Sequence, residues 1–338
     1  MSQTPLNPES IQALANDLHS AEYPNTHAVV IAYDGQLVFE QYQSGIDERW
    51  GEYLGAVEHK ATTLHDMRSV SKSITALLLG TVLDKQDEFI LDRPMAELLA
   101  IESNNSFTLE NTLTMTSGLQ WNEMEINYAD IKNDERQLSI ANDPIAYVFG
   151  KSQIQAPGSE WYYNGGLTQL IGKLVEQESN QPLRELAQKN LFEPLQIDSF
   201  EWVSPSQWPD NMPSAASGLR LTARDLTKIG QLVADNGKWQ GKQLVSSGWI
   251  ERMTQRHVDQ IGAWSRGGIW GYGYQWWIGH FENPVTFDVI AAVGNGGQRL
   301  YVVPQHKLVV SITAGNYNQY DSYGDEILGR IVEAAVTK

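Results

Sequence analysis

The chain has 338 residues, more than one simple core needs and enough for two closely packed domains. Its 24 Lys and Arg stand against 41 Asp and Glu, and the net charge of −17 disfavours DNA, RNA and anionic membrane surfaces as partners. There are no cysteines, which excludes disulfides, Cys-ligated zinc and thiol nucleophiles, while 41% hydrophobic residues exclude a disordered chain.

In chain order, the N-terminal stretch has no basic segment followed by an apolar one, so no signal peptide is read. The chain as written is expected to be cytoplasmic, or periplasmic if a leader has been removed. Residues 8–20 predict an amphipathic helix with Ile11, Leu14 and Leu18 on one side. Two apolar runs around Asp34-Gly35, residues 27–33 and 36–42, predict a β-hairpin. The apolar segment Ile74 to Leu83 predicts a buried helix, too short to span a bilayer. Helical periods follow at 94–99, 167–175 and 183–191, and residues 120–140 form a polar, irregular stretch that could act as a lid. Thr222 and Asp225 make a capping box for a helix over 223–236 that stops at Gly237. The last third predicts strands at 272–278, 287–293, 299–303 and 307–313, then a helix over 322–336. Strands at both ends with helices between them suggest one antiparallel sheet built from both termini, with a helical insertion.

Ser69-Val70-Ser71-Lys72, at the mouth of the buried helix, places a serine and a lysine one helical turn apart on a shared face. A serine needs a partner for its proton before it can attack, and a partly desolvated lysine can serve. By itself the pattern is far more often a helix start with a surface lysine. Two further elements can meet it. In Pro157-Gly-Ser-Glu-Trp-Tyr162-Tyr163-Asn164, a Pro-Gly turn precedes Tyr162-x-Asn164 and a helix start, and a Tyr hydroxyl near an ammonium can share its proton. In Gly294-Asn295-Gly296-Gly297-Gln298, three glycines at a strand end let a ligand approach the backbone, although Asn-Gly is also the commonest hairpin turn. Tyr23-Pro24-Asn25 shows how cheap a Tyr-x-Asn is.

In this order the three motifs resemble those of the serine β-lactamase and penicillin-binding-protein superfamily, on the branch of class C β-lactamases, DD-peptidases, family VIII carboxylesterases and 6-aminohexanoate-dimer hydrolase. Residues 113–121, 217–225, 272–277 and 296–304 are similar to the same branch, and the resemblance covers roughly residues 27–335. It implies an α+β fold of β-lactamase/transpeptidase type: an antiparallel sheet domain from residues 1–85 and 218–338, and an inserted, mainly helical domain at 86–217. It implies Ser69 as nucleophile, Lys72 as its proton partner and Tyr162 as general base. Asn164 would hold Lys72 and bind substrate, and the backbone N–H groups of Ser69 and Gln298 would form an oxyanion hole beside Asn295 and Gly297. The substrate would be a small ester or amide, and no cofactor is needed.

The departures matter as much. Class C β-lactamases carry Lys-Thr-Gly where this chain has Asn295-Gly296-Gly297, and a neutral amide cannot pair with a β-lactam carboxylate. The expectation is therefore an esterase or amide hydrolase. A β-lactamase or DD-peptidase is the alternative, and a non-catalytic sensor the third. Glu123 and Glu125 read as surface carboxylates, and Trp121 and Tyr128 as acyl-pocket wall or as packing. Arg266 is a candidate for a substrate carboxylate or a plain surface residue. The seven His are scattered without metal-ligand spacing, so no metal is expected, and no G-x-S-x-G elbow occurs. Oligomeric state is not legible.

Overall fold

The computed structural model describes residues 6–20, 22–83, 90–261, 268–319 and 321–337. Helix α1 (Pro8–Leu18) starts where the Asn7 side chain accepts from the backbone N–H groups of Glu9 and Ser10. Strands β1 (Thr26–Tyr33) and β2 (Gln36–Tyr42) form the expected hairpin, with Asp34 and Gly35 both at positive φ. A second hairpin follows, β3 (Ser44–Arg49) and β4 (Glu52–Glu58), which the alternation in the sequence did not reveal. The short β5 (His65–Asp66) then leads into α2 (Val70–Val82).

The middle of the chain holds α3 (Met95–Leu98), α4 (Leu109–Leu113), α5 (Asp134–Ile140), α6 (Pro144–Phe149), α7 (Gly165–Ser179) and α8 (Leu183–Ala187). It also supplies the two-residue β6 (Glu201–Trp202) before β7 (Leu219–Leu221). Helix α9 (Ala223–Ala234) opens at Thr222, whose hydroxyl accepts from the Asp225 backbone at 3.0 Å. The small β8 (Lys238–Trp239) and β9 (Lys242–Gln243) pair, and α10 (Ser247–Thr254) follows. The chain finishes with β10 (Gly268–Tyr272), β11 (Trp277–Phe281), β12 (Phe287–Gly294), β13 (Gln298–Val303), β14 (Leu308–Ala314) and α11 (Tyr323–Val336). The single strand expected over 272–278 is instead the turn of the β10–β11 hairpin: Gln275, at φ +60, breaks the extended run and donates its backbone N–H to the Leu113 carbonyl.

The main sheet runs β10-β11-β12-β13-β14-β1-β2, antiparallel throughout, so strands from both ends of the chain meet at β14–β1. Its central strands are covered on both faces, which is why β13 and β14 are buried along their whole length. Leu300, Val302 and Val309 pack with α2 and α9, while Tyr301, Val303 and Val310 pack with α1 and α11. The architecture is the expected α+β one, an antiparallel sheet with helices on both faces. No helix among the described residues is long and apolar enough to cross a membrane.

Candidate active site

Helix α2 is buried from Val70 to Gly80, and its polar side chains are tied to other elements. Ser71 Oγ accepts from Leu219 N at 3.1 Å, Ser73 donates to the Gln275 carbonyl at 2.6 Å, and Thr75 donates to the Ala215 carbonyl at 2.9 Å. The N-terminus of α2 is thus fixed, and Ser69 sits at the capping position. It does not cap: its side chain makes no bond to the first-turn N–H groups. Instead Lys72 Nζ donates to Ser69 Oγ at 3.0 Å. The preceding residue, Arg68, is held at φ +48 by ion pairs to Glu48 and Asp66 and by the Tyr317 ring. A bulky cationic residue in the left-handed region marks the kind of strain that functional turns store.

Lys72 is buried, and its ammonium also donates to the Ala216 carbonyl at 3.3 Å. It lies 3.7 Å from Glu123 Oε1 and 4.9 Å from the Tyr163 ring centre. Tyr163 is buried, and its phenol faces the Ser69 hydroxyl. Burial, reinforced by the Glu123 charge, pushes that phenol well above its ordinary range. Tyr162, the tyrosine expected here, points elsewhere: its hydroxyl donates to Glu125. The tyrosine beside Ser69 and Lys72 is thus Tyr163, one residue along from the expected one.

That shift displaces the asparagine as well. Asn164 does not reach Lys72. Its Oδ1 accepts from Leu167 N at 3.2 Å and caps α7, and its Nδ2 is buried without a partner among the described residues. Two residues after Tyr163 stands Gly165, and a Cβ built there would lie 2.0 Å from Glu135 Oε2 and 3.3 Å from Glu123 Oε2. Two carboxylates fill the space that a side chain at 165 would occupy. Glu123 is fully buried, accepting from Trp121 Nε1 at 2.8 Å, Tyr128 Oη at 3.0 Å and Gly165 N at 2.7 Å. It is not a surface residue, and Trp121 serves it rather than the cavity wall. Glu135 takes a 3.3 Å bond from Ser217, and its Oε2 is covered and unpartnered. Burial pushes its carboxyl up to about 7, against the pull of Lys72. The 120–140 stretch is accordingly no open lid. Asn133 staples it by donating to the carbonyls of Glu123 and Ile126, both at 2.8 Å, and starts α5.

Strand β12 ends against the nucleophile: a Cβ on Gly294 would fall 2.3 Å from the Met67 carbonyl and 3.3 Å from Ser69 N. Gly296 and Gly297 follow at φ +89 and +91, and Gln298, paired with Gly294, turns its buried side chain to Ala314 and Gly296. Asn295 accepts from Asn318 N at 2.7 Å and lines the cleft. Two cavities of about 550 and 420 Å³ adjoin and share Ser69, Tyr128 and Asn295 among their lining residues. Arg266 lies outside the described residues.

Sequence reasoning also missed a cluster away from the cleft. His27, Asp47, His59 and His65 come from four separate segments, so no spacing signalled them, yet they converge in the interior.

The family model described as Beta-lactamase matches residues 25–314. A 6-aminohexanoate-dimer hydrolase of Paenarthrobacter ureafaciens is 22% identical over 301 residues, covering 84% of this chain and 71% of that protein. Among solved structures, D-amino acid amidase from Ochrobactrum anthropi SV3, in complex with L-phenylalanine amide, superposes with a TM-score of 0.71 at 15% identity over 96% of this chain and 97% of the other. EstCE1, a hydrolase with promiscuous acyltransferase activity, gives 0.70 at 16% identity over 97% of each.

Proposed function

Because the chain belongs to the beta-lactamase family, we propose that it is a serine hydrolase that moves the acyl group of an ester or unstrained amide onto Ser69 and then onto water. The observation that carries this reading is the 3.0 Å contact between the buried Lys72 Nζ and Ser69 Oγ, with Tyr163 beside both. The names of the relatives, a dimer hydrolase, an amidase and a hydrolase with acyltransferase activity, support the same reaction class.

Ser69 Oγ attacks the carbonyl carbon, and the oxyanion forms against the backbone N–H groups of Ser69 and Gln298. The N-terminal end of α2 adds its positive dipole there. Tyr163 is a phenol in the resting site, so it acts as a shuttle. It takes the Ser69 proton, with Lys72 beside it, as it passes its own proton to the leaving nitrogen or oxygen. The carbon–heteroatom bond breaks and an acyl-serine remains. Water then adds to that ester, and its proton returns to Ser69 by the same route. Glu123 holds Lys72 in place, the task first expected of Asn164.

Ser69→Ala is expected to abolish turnover of p-nitrophenyl acetate and butyrate. Intact-mass spectra of the wild-type protein quenched during turnover should show the acyl adduct. Turnover unchanged in the variant would overturn the proposal.

A further inference from the structure

His27, Asp47, His59 and His65 are all buried, and one ring nitrogen of each histidine and one Asp47 oxygen lie within 4.8 Å of one another. They come from β1, β3, the residue after β4, and β5. The His27 and His59 rings stack with centroids 3.8 Å apart, and the His65 ring stands 4.8 Å from that of His59. Burial holds all three imidazoles neutral, with His27 pulled down to about 3 and His59 to about 4. Neutral imidazole is the form that binds a metal.

Ring packing alone leaves the nitrogen lone pairs unexplained. His27 Nε2 faces the Ile46 carbonyl at 3.1 Å, which sets the proton on Nε2 and leaves Nδ1 as a bare acceptor without a partner. Neither ring nitrogen of His59 makes a hydrogen bond of good geometry, the Gly45 backbone being its polar neighbour. His65 Nδ1 is likewise unpartnered and lies 3.9 Å from Asp47 Oδ2. The other Asp47 oxygen is fixed by Glu48 N at 2.9 Å and Tyr317 Oη at 3.0 Å. Buried polar atoms in folded proteins are normally paired, and here several without a partner among the described residues belong to one cluster.

We infer that these four side chains form a closed, four-coordinate site for a divalent transition metal ion of the zinc class. Three imidazoles and one carboxylate suit zinc rather than magnesium or calcium, which prefer oxygen. Bonds of about 2.0–2.2 Å place tetrahedral ligand atoms roughly 3.3–3.6 Å apart, so the cluster contracts by about an ångström on binding. The Ile46 carbonyl behind His27 and the Tyr317 hydroxyl behind Asp47 are the outer hydrogen bonds that metal ligands use. Four protein ligands leave no position for substrate, so the ion is structural. It pins the β3–β4 hairpin to β1 and to β5, just ahead of the turn that presents Ser69.

The test uses the full chain, stripped with a chelator, re-equilibrated with zinc and passed through a desalting column. Native mass spectrometry should then find one zinc ion per chain, and thermal unfolding should shift upward by several degrees relative to the stripped protein. Cobalt in place of zinc should give the visible d–d absorption of a four-coordinate site. His59→Ala and, separately, the near-isosteric Asp47→Asn should weaken zinc binding by roughly tenfold or more. Wild-type protein that retains no zinc overturns the inference whatever the variants do. So does zinc retained equally by His59→Ala and Asp47→Asn, which would place the ion on an exposed histidine.

Discussion

Tyr162 and Tyr163 are neighbours in the chain but meet different partners, one bound to Glu125 and the other buried beside Ser69, Lys72 and Glu123. Under the proposed mechanism only the second stands where a proton can pass to a leaving group on Ser69. Tyr163→Phe should lower kcat for p-nitrophenyl butyrate by about 10²–10⁴, the usual worth of a positioned acid–base group. Tyr162→Phe, which loses only a hydrogen bond to Glu125, should stay within a few-fold of wild type. Steady-state kinetics of the two variants decide it, and the opposite ranking would restore Tyr162. The contact between Ser69 and Lys72 was legible in the sequence because their relation is local, one helical turn. The sequence could not choose between two tyrosines one residue apart, because they differ only in which way a loop segment faces. It read Glu123 as exposed because its partners, Lys72 and Gly165, are remote in sequence.

Helix α5 and the start of α7 meet where Gly165 leaves room for the Glu135 carboxyl. The unfolded chain titrates this group near 4.5, while the folded protein raises it to about 7 by burial. A raised carboxyl means that the folded state holds the proton more tightly. Its contribution to stability is therefore fully present below about pH 4.5 and is lost as pH rises through about 7. Glu135→Gln, neutral throughout, removes that loss. Urea unfolding at pH 5 and pH 8 should show the variant gaining on the wild type at the higher pH; a difference independent of pH would refute this. Elements with strong local signals were legible: the Asp34-Gly35 hairpin, the Thr222 cap, and the strands of the last third apart from the turn at 273–276. The β3–β4 hairpin was not, because its exposed, charged strands carry no clean alternation, and α5 was hidden because side-chain staples rather than period define it.

At the scale of the whole molecule, charge and cavity shape act on the same choice of substrate. The two cavities share Ser69, and their volumes of about 550 and 420 Å³ leave room for a linear molecule with substituents on both sides of its scissile bond. Asn295 offers a β-lactam carboxylate no cation, and the chain carries a net charge of −17, whose field repels anions on approach. Linear neutral esters should therefore have a higher kcat/KM than a carboxylate-bearing chromogenic cephalosporin. The repulsive part is separable with salt. For a matched pair of esters, one bearing a remote carboxylate and one its neutral amide, raising ionic strength from about 0.01 M to 0.15 M shortens the screening length from about 30 to 8 Å. The kcat/KM of the anionic ester should then rise by a few-fold while that of its neutral partner stays level. If both respond alike, the field of the molecule plays no part in selection, and the preference must come from the cleft alone.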